Sequence, residues 1–235
     1  MKEKIYTIPI SEAFEKRGIC PFCTIKERLN DEYCESALGA GMMEPDIRIM
    51  TNEKGFCKTH YEKLRHLNKA LPLALVLQTH LSENVMSLFN TTPAKKKKSM
   101  FSSKASLKDE AMQVVEKLNT HNNNCYICSR LKATLNDYAE TSVYMFKTDK
   151  SFREIFKNAE SFCLEHTETL LNAAIKNLNE KDFEEFYEAL KAVQQRTLNN
   201  LYDSVSEFAN SFDYRADKPL SEKAKNSISD SIKLL

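Results

Sequence analysis

Four short pairs of metal-binding side chains limit most strongly what this chain can fold into. They fall into two matched sets. The first is Cys20-Pro-Phe-Cys23 followed by Phe56-Cys57-Lys-Thr-His60; the second is Cys125-Tyr-Ile-Cys128 followed by Phe162-Cys163-Leu-Glu-His166. Cys23 and Cys57 stand 34 positions apart, Cys128 and Cys163 35 positions. Scattering 7 Cys and 5 His through 235 residues would place roughly 0.4 such pairs by chance, so four are a pattern. The pattern demands that two segments far apart in sequence meet at one point, twice.

The surroundings of the pairs repeat as well. An offset of 105 lays Cys20, Cys23 and Tyr33 on Cys125, Cys128 and Tyr138, and an offset of 106 lays Phe56, Cys57, His60 and Leu64 on Phe162, Cys163, His166 and Leu170. That is an internal duplication, and it sets the architecture. The division that follows is a first repeat over 1–90, a Lys/Ser-rich linker over 91–106, a second repeat over 107–179, and a C-terminal helix and tail over 180–235.

Between the pairs the hydrophobic spacing is helical. Ile25, Leu29 and Tyr33 predict a helix from Phe22 to about Leu38, and Tyr61, Leu64, Leu67, Leu71, Leu75 and Leu81 an inward stripe on a helix from Cys57 toward Asn90, kinked or divided at Pro72. Met42 to Gly55 reads as a connector. A short helix is expected from an N-cap at Ser11 to a stop at Gly18, and helices also over Leu107–Leu118, Tyr126–Met145, Phe152–Phe156, Cys163–Leu178 and Asp182–Phe212, with a last one from Ser221. The Asp182–Phe212 helix is unduplicated and carries the stripe Phe183, Phe186, Tyr187, Leu190, Val193, Leu198, Leu201, Val205 and Phe208. It is expected to pack across both repeats, and it could also form a homodimer interface. Only 4 Gly, 6 Pro and no Trp argue against a loop-rich or all-β chain. The fold class is all-α: two helical zinc-binding repeats with a long C-terminal helix.

The start has no apolar core of signal-peptide length. The longest apolar run, Ala70–Leu77, is too short to span a bilayer. A cytoplasmic location and no membrane partner are therefore expected, and in such a compartment paired cysteines point to metal or redox chemistry before disulfides. A net charge of +1 gives no field to gather nucleic acid. The one basic run, Lys95–Lys98, lies in the linker and lacks interleaved aromatics, so no specific nucleic-acid partner is expected.

Zinc in structural sites takes four ligands in a tetrahedron, commonly three cysteines and one histidine. Two such sites use six of the seven cysteines. The metal ligands are Cys20, Cys23, Cys57, His60, Cys125, Cys128, Cys163 and His166, giving two zinc ions per chain. Pairing within repeats joins Cys20 and Cys23 to Cys57 and His60; a swapped pairing, with Cys20 and Cys23 meeting Cys163 and His166, keeps the same ligand count. Redox-active dithiols and an iron–sulfur cluster use the same residues but fit less well, since no βαβ pattern surrounds the pairs. Phe22, Phe56 and Phe162 would supply a dry shell.

Cys34 has no counterpart in the second repeat and reads as a packing residue. His66 and His80 read as surface or hydrogen-bonded core histidines. His121, four residues before Cys125, is an alternative ligand. Asp46-Ile-Arg48 and Phe212-Asp-Tyr-Arg215 read as local ion pairs or as an anion-binding cluster. No Gly-rich phosphate loop, nucleophile elbow or paired-carboxylate pattern is visible, so no catalytic residue is assigned. The functional expectation is an interaction or regulatory module with a protein partner. The rivals are a thiol-redox or zinc-dependent enzyme and a metal or redox sensor.

The ordered combination Ile8-Pro9, Glu12–Glu15, Cys20–Cys23, Asp46–Ile49, Thr51-Asn52, Gly55–His60, Cys125–Cys128, Phe162–His166 and Phe212–Arg215 resembles an uncharacterised bacterial family, a domain of unknown function. The resemblance covers nearly the whole chain. It implies a bacterial origin and metal sites at these positions, and no established activity.

Overall fold

The computed structural model describes residues 6–16, 20–90, 107–213 and 219–235. Lys95–Lys98 and the rest of the 91–106 linker, Gly18, Tyr214 and Arg215 lie outside the described residues. Among those described there are eleven α-helices and no strand, so the all-α expectation holds. No described helix is long and apolar enough to cross a membrane.

The helices are α1 (Thr7–Glu15), α2 (Pro21–Ala37), α3 (Pro45–Lys54), α4 (Lys58–His66), α5 (Ala70–His80), α6 (Leu107–Asn122), α7 (Tyr126–Thr148), α8 (Lys150–Lys157), α9 (Leu164–Asn177), α10 (Glu180–Asn210) and α11 (Glu222–Leu234). Their ends follow from side chains that satisfy free backbone groups. Asp149 accepts from the N–H groups of Ser151 and Phe152 to start α8, Asn179 accepts from Asp182 N–H to start α10, and Ser221 accepts from Ala224 N–H to start α11.

Three expectations change. The segment read as a connector contains α3. Pro45 stands at its first position, Asp46 in its first turn, Lys54 in its last, and Gly55 just beyond it; these are helix start and stop signals. The kink or division expected at Pro72 falls earlier, as a break at Leu67–Lys69, where Asn68 takes φ 56°. Pro72 sits in the first turn of α5, where its missing N–H costs nothing. The stripe projected from α4 therefore does not continue: Leu64 is buried, but Leu71, Leu75 and Leu81 are exposed, and Val76 and His80 are buried in their place. Finally, α1 begins at Thr7, four residues before the expected cap, with Pro9 in its first turn.

The chain divides into two compact units that cut across the sequence repeats. One comprises residues 1–28 with 133–235, the other residues 29–132. In the first, α1 packs on α8, and α10 packs on α8, α9 and α11. Its core is aromatic. Phe156 is fully buried, with ring centroids of Phe146, Phe162 and Phe186 5.2, 5.1 and 5.1 Å away and Phe14 at 5.9 Å. Phe186, Leu190 and Val193 of the expected α10 stripe are buried in this unit, while Tyr187 and Leu198 are exposed. In the second unit α5 packs on α3 and α4, around Leu29, Tyr33, Leu38, Phe56, Leu64, Val76, Tyr126 and Ile127.

Two candidate metal centres

Each pair occupies the same place on a helix. Cys57 and Cys163 are the N-caps of α4 and α9, with φ/ψ of −70°/164° and −70°/161°. Cys20 and Cys125 immediately precede α2 and α7. The second ligand of each pair (Cys23, His60, Cys128 or His166) is the third residue of its helix. The two side chains of a pair thus lie next to each other over the helix N-terminus. No side-chain oxygen caps α4 or α9, and the free N–H groups of the first turn face the sulfurs with the positive end of the helix dipole. The near-identical cap angles are the duplication expressed in backbone geometry.

The pairs assemble in the crossed arrangement. Cys20, Cys23, Cys163 and His166 form one cluster and Cys57, His60, Cys125 and Cys128 the other, each with its ligand atoms within 4.8 Å of one another. The within-repeat pairing fails because of helix length. His60 Nε2 meets Asn30 Oδ1 at 3.0 Å, and Lys63 meets Asp31 at 2.6 Å. Asn30 lies ten residues beyond Cys20 on α2, about 15 Å along a rise of roughly 1.5 Å per residue. The His60 pair is therefore seated on the later turns of α2, within residues 29–132. The start of α9 lies instead against the first turns of α2, where Lys26 meets Glu165 at 2.7 Å. Each cluster falls wholly inside one compact unit.

In the first cluster His166 Nδ1 lies 3.5 Å from Cys20 Sγ, 3.4 Å from Cys23 Sγ and 3.0 Å from Cys163 Sγ, and Cys23 Sγ lies 3.6 Å from Cys163 Sγ. Phe22 and Phe162 are fully buried, and the Phe22 ring is 5.7 Å from that of His166. His166 Nε2 is buried without a hydrogen-bond partner among the described residues. In the second cluster His60 Nδ1 lies 3.1 Å from Cys57 Sγ, 3.3 Å from Cys125 Sγ and 3.4 Å from Cys128 Sγ. Cys57 and Cys128 Sγ are 3.9 Å apart. Phe56 packs edge-on to Tyr61 and Tyr126. Tyr126 N–H also donates to Gly55 O at 3.0 Å, tying the backbone before one pair to the start of the helix that carries the other. All seven cysteines are free thiols, and both clusters could hold a metal ion.

Within each cluster the sulfurs shift one another's protonation through their hydrogen bonds. The hydrogen bond to Cys163 pushes the Cys23 thiol up, and those from Cys20 and Cys23 pull the Cys163 thiol down. Burial alone would lower His166, but hydrogen bonds to Cys163 and Cys20 outweigh it and lift the imidazole to about 9. Burial pushes Cys128 up to about 12 and holds His60 below its usual range, the form a ligand needs.

The chain belongs to the DUF6062 family. Its family model, described as a family of unknown function, matches residues 1–235. Comparison with curated proteins and with solved structures finds no match. The family description assigns DUF6062 no activity, so the residues carry the argument.

One residue outside the Cys/His motifs orients His60. Asn30 accepts from His60 Nε2 and so leaves Nδ1 as the atom facing the sulfurs. Nothing marks Asn30 in the DUF6062 sequence except its place four residues before Cys34, whose thiol also reaches Asn30 Oδ1, at 3.8 Å. Cys34 is buried, which pushes its thiol up to about 11, in keeping with a packing role. His80 is a buried core histidine whose Nδ1 donates to Asn52 O. His121 stacks on the His80 ring at 5.4 Å and stands outside the cluster. Arg48 lies on α3 with Nη1 buried and without a hydrogen-bond partner among the described residues.

Proposed function

We propose that the two clusters bind zinc as structural ions, and that the protein is an intracellular interaction or regulatory module held in shape by them. The observation that carries this reading is the size of the clusters. A zinc with Zn–S of about 2.3 Å and Zn–N of about 2.0 Å makes tetrahedral edges of about 3.8 Å between sulfurs and about 3.5 Å from sulfur to nitrogen. Sulfurs at 3.6 and 3.9 Å match the sulfur edge, and sulfur–nitrogen distances of 3.0 to 3.5 Å reach up to the sulfur–nitrogen edge from just inside it. Disulfide sulfurs would stand about 2.0 Å apart.

The charge also closes. Three thiolates, one neutral imidazole and Zn²⁺ carry a net −1. Two helix N-termini point at each cluster, each equivalent to roughly +0.5 charge. Four protein ligands complete the tetrahedron and leave no position for the water that a catalytic zinc uses. That favours a staple over the zinc-enzyme reading.

X-ray absorption at the zinc edge of protein purified without chelator tests the proposal. Three sulfur and one nitrogen neighbours are expected. A fitted oxygen from bound water would overturn the structural assignment in favour of an open, catalytic site.

A further inference from the structure

Building on the reading of two metal centres, we propose that they do different work. The cluster of Cys20, Cys23, Cys163 and His166 is a permanent staple; the cluster of Cys57, His60, Cys125 and Cys128 is a peroxide-responsive switch that surrenders its ion when Cys128 is oxidised.

The two clusters have the same ligands in the same geometry and differ in cover. In the first, Cys20, Cys163 and His166 are 3%, 6% and 1% exposed. A surface groove between α10, α11 and the 158–163 segment reaches Cys20 and Cys163, but leaves them no more exposed than that, and Cys23 is half-buried. In the second, Cys128 is exposed and Cys57 half-buried. Thiolate reactivity follows thiolate character and access. A metal keeps all three sulfurs of each cluster as thiolates, so access is left to separate them.

A second thiol is already in place to complete the reaction. Cys57 Sγ lies 3.9 Å from Cys128 Sγ. The Cys128 thiolate attacks one oxygen of hydrogen peroxide; the O–O bond breaks, an S–O bond forms, and hydroxide leaves to be protonated to water. Cys57 thiolate then attacks the sulfenic sulfur of Cys128; the S–S bond forms, the S–O bond breaks, and a second hydroxide leaves. Two sulfurs lose one electron each, and peroxide takes up the two electrons and two protons to become two waters. With Cys57 and Cys128 joined, only Cys125 and His60 would remain to hold an ion, two ligands where a tetrahedral site needs four. The oxidised bond would join the residue before α4 to the first turn of α7, so the signal appears as a change within residues 29–132.

The experiment uses the full chain as purified. Metal content is counted first: fewer than two zincs per chain would sink the parent reading of two structural centres, independently of the switch. Protein with two zincs is then treated with one equivalent of hydrogen peroxide, zinc release is followed with a chromophoric chelator, and thiols are mapped by alkylation and peptide mass. The switch predicts one zinc released at least about tenfold faster than the other, with a Cys57–Cys128 disulfide and with Cys20, Cys23 and Cys163 still reduced. Loss of both ions at one rate, or oxidation of Cys23 or Cys163 before Cys128, overturns it.

Discussion

Gly55 is the residue on which the second cluster's geometry can be tested without touching a ligand. It ends α3 with φ 60° and ψ −157°, a conformation that essentially only glycine adopts. A Cβ there would stand 2.5 Å from His80 Nε2 and 2.7 Å from His80 Cε1. His80 cannot easily yield, because it is buried and its Nδ1 is held by Asn52 O. Gly55→Ala therefore combines backbone strain of about 1–3 kcal/mol with overpacking of about 1–3 kcal/mol, or about 2–6 kcal/mol together. The damage should be local. Gly55 O accepts from Tyr126 N–H at 3.0 Å, so a shift of this backbone displaces Cys57 relative to Cys125 and Cys128. Denaturant unfolding with zinc titration by a competing chelator reads both effects. The expected result is lost stability together with weakened binding at one of two sites. A change within about 0.5 kcal/mol, or equal weakening of both sites, would refute the reasoning.

Other perturbations separate packing from ligation. Asn30→Leu removes the acceptor that orients His60 and should weaken zinc at the second cluster alone by about 10- to 100-fold, measured by chelator competition. Phe156→Ala empties the aromatic core that surrounds it and should cost about 3–5 kcal/mol in denaturant unfolding while leaving zinc stoichiometry at two. The metal-free chain should show a distinctive pH dependence. His166 is raised to about 9 in the fold against an ordinary value of 6.5, so its contribution to stability is fully present below pH 6.5 and is lost as pH rises through 9. In the zinc-loaded chain the ligands must be deprotonated and binding tightens with rising pH, so denaturation midpoints of the two forms should diverge from pH 6.5 to 9.

How much of this was legible in the sequence depends on the range of the interaction concerned. The ligand types and their spacing are local, since a helix N-cap and its third residue present adjacent side chains in any helix. The helices over Phe22–Leu38 and Tyr126–Met145 were equally visible, because their apolar spacing is uninterrupted. Which pair meets which was not. That depends on where along α2 the His60 pair is seated, which Asn30 and Asp31 decide through contacts about 30 residues away in sequence. The inward stripe failed at Leu71 and Leu75 because one residue, Asn68, turns the chain into the left-handed region. Periodicity cannot register such a break. The α3 helix was readable in principle from Pro45 and Gly55, but its short, weakly amphipathic run hid it.

The most direct test of the central claim is native mass spectrometry of the 27.1 kDa chain purified without chelator. Two zinc ions per chain are expected, with Cys20, Cys23 and Cys163 protected from alkylation until the metal is removed and Cys34 the one cysteine outside the clusters. A mass with fewer than two zincs per chain, or all seven thiols modified at once under native conditions, would contradict it.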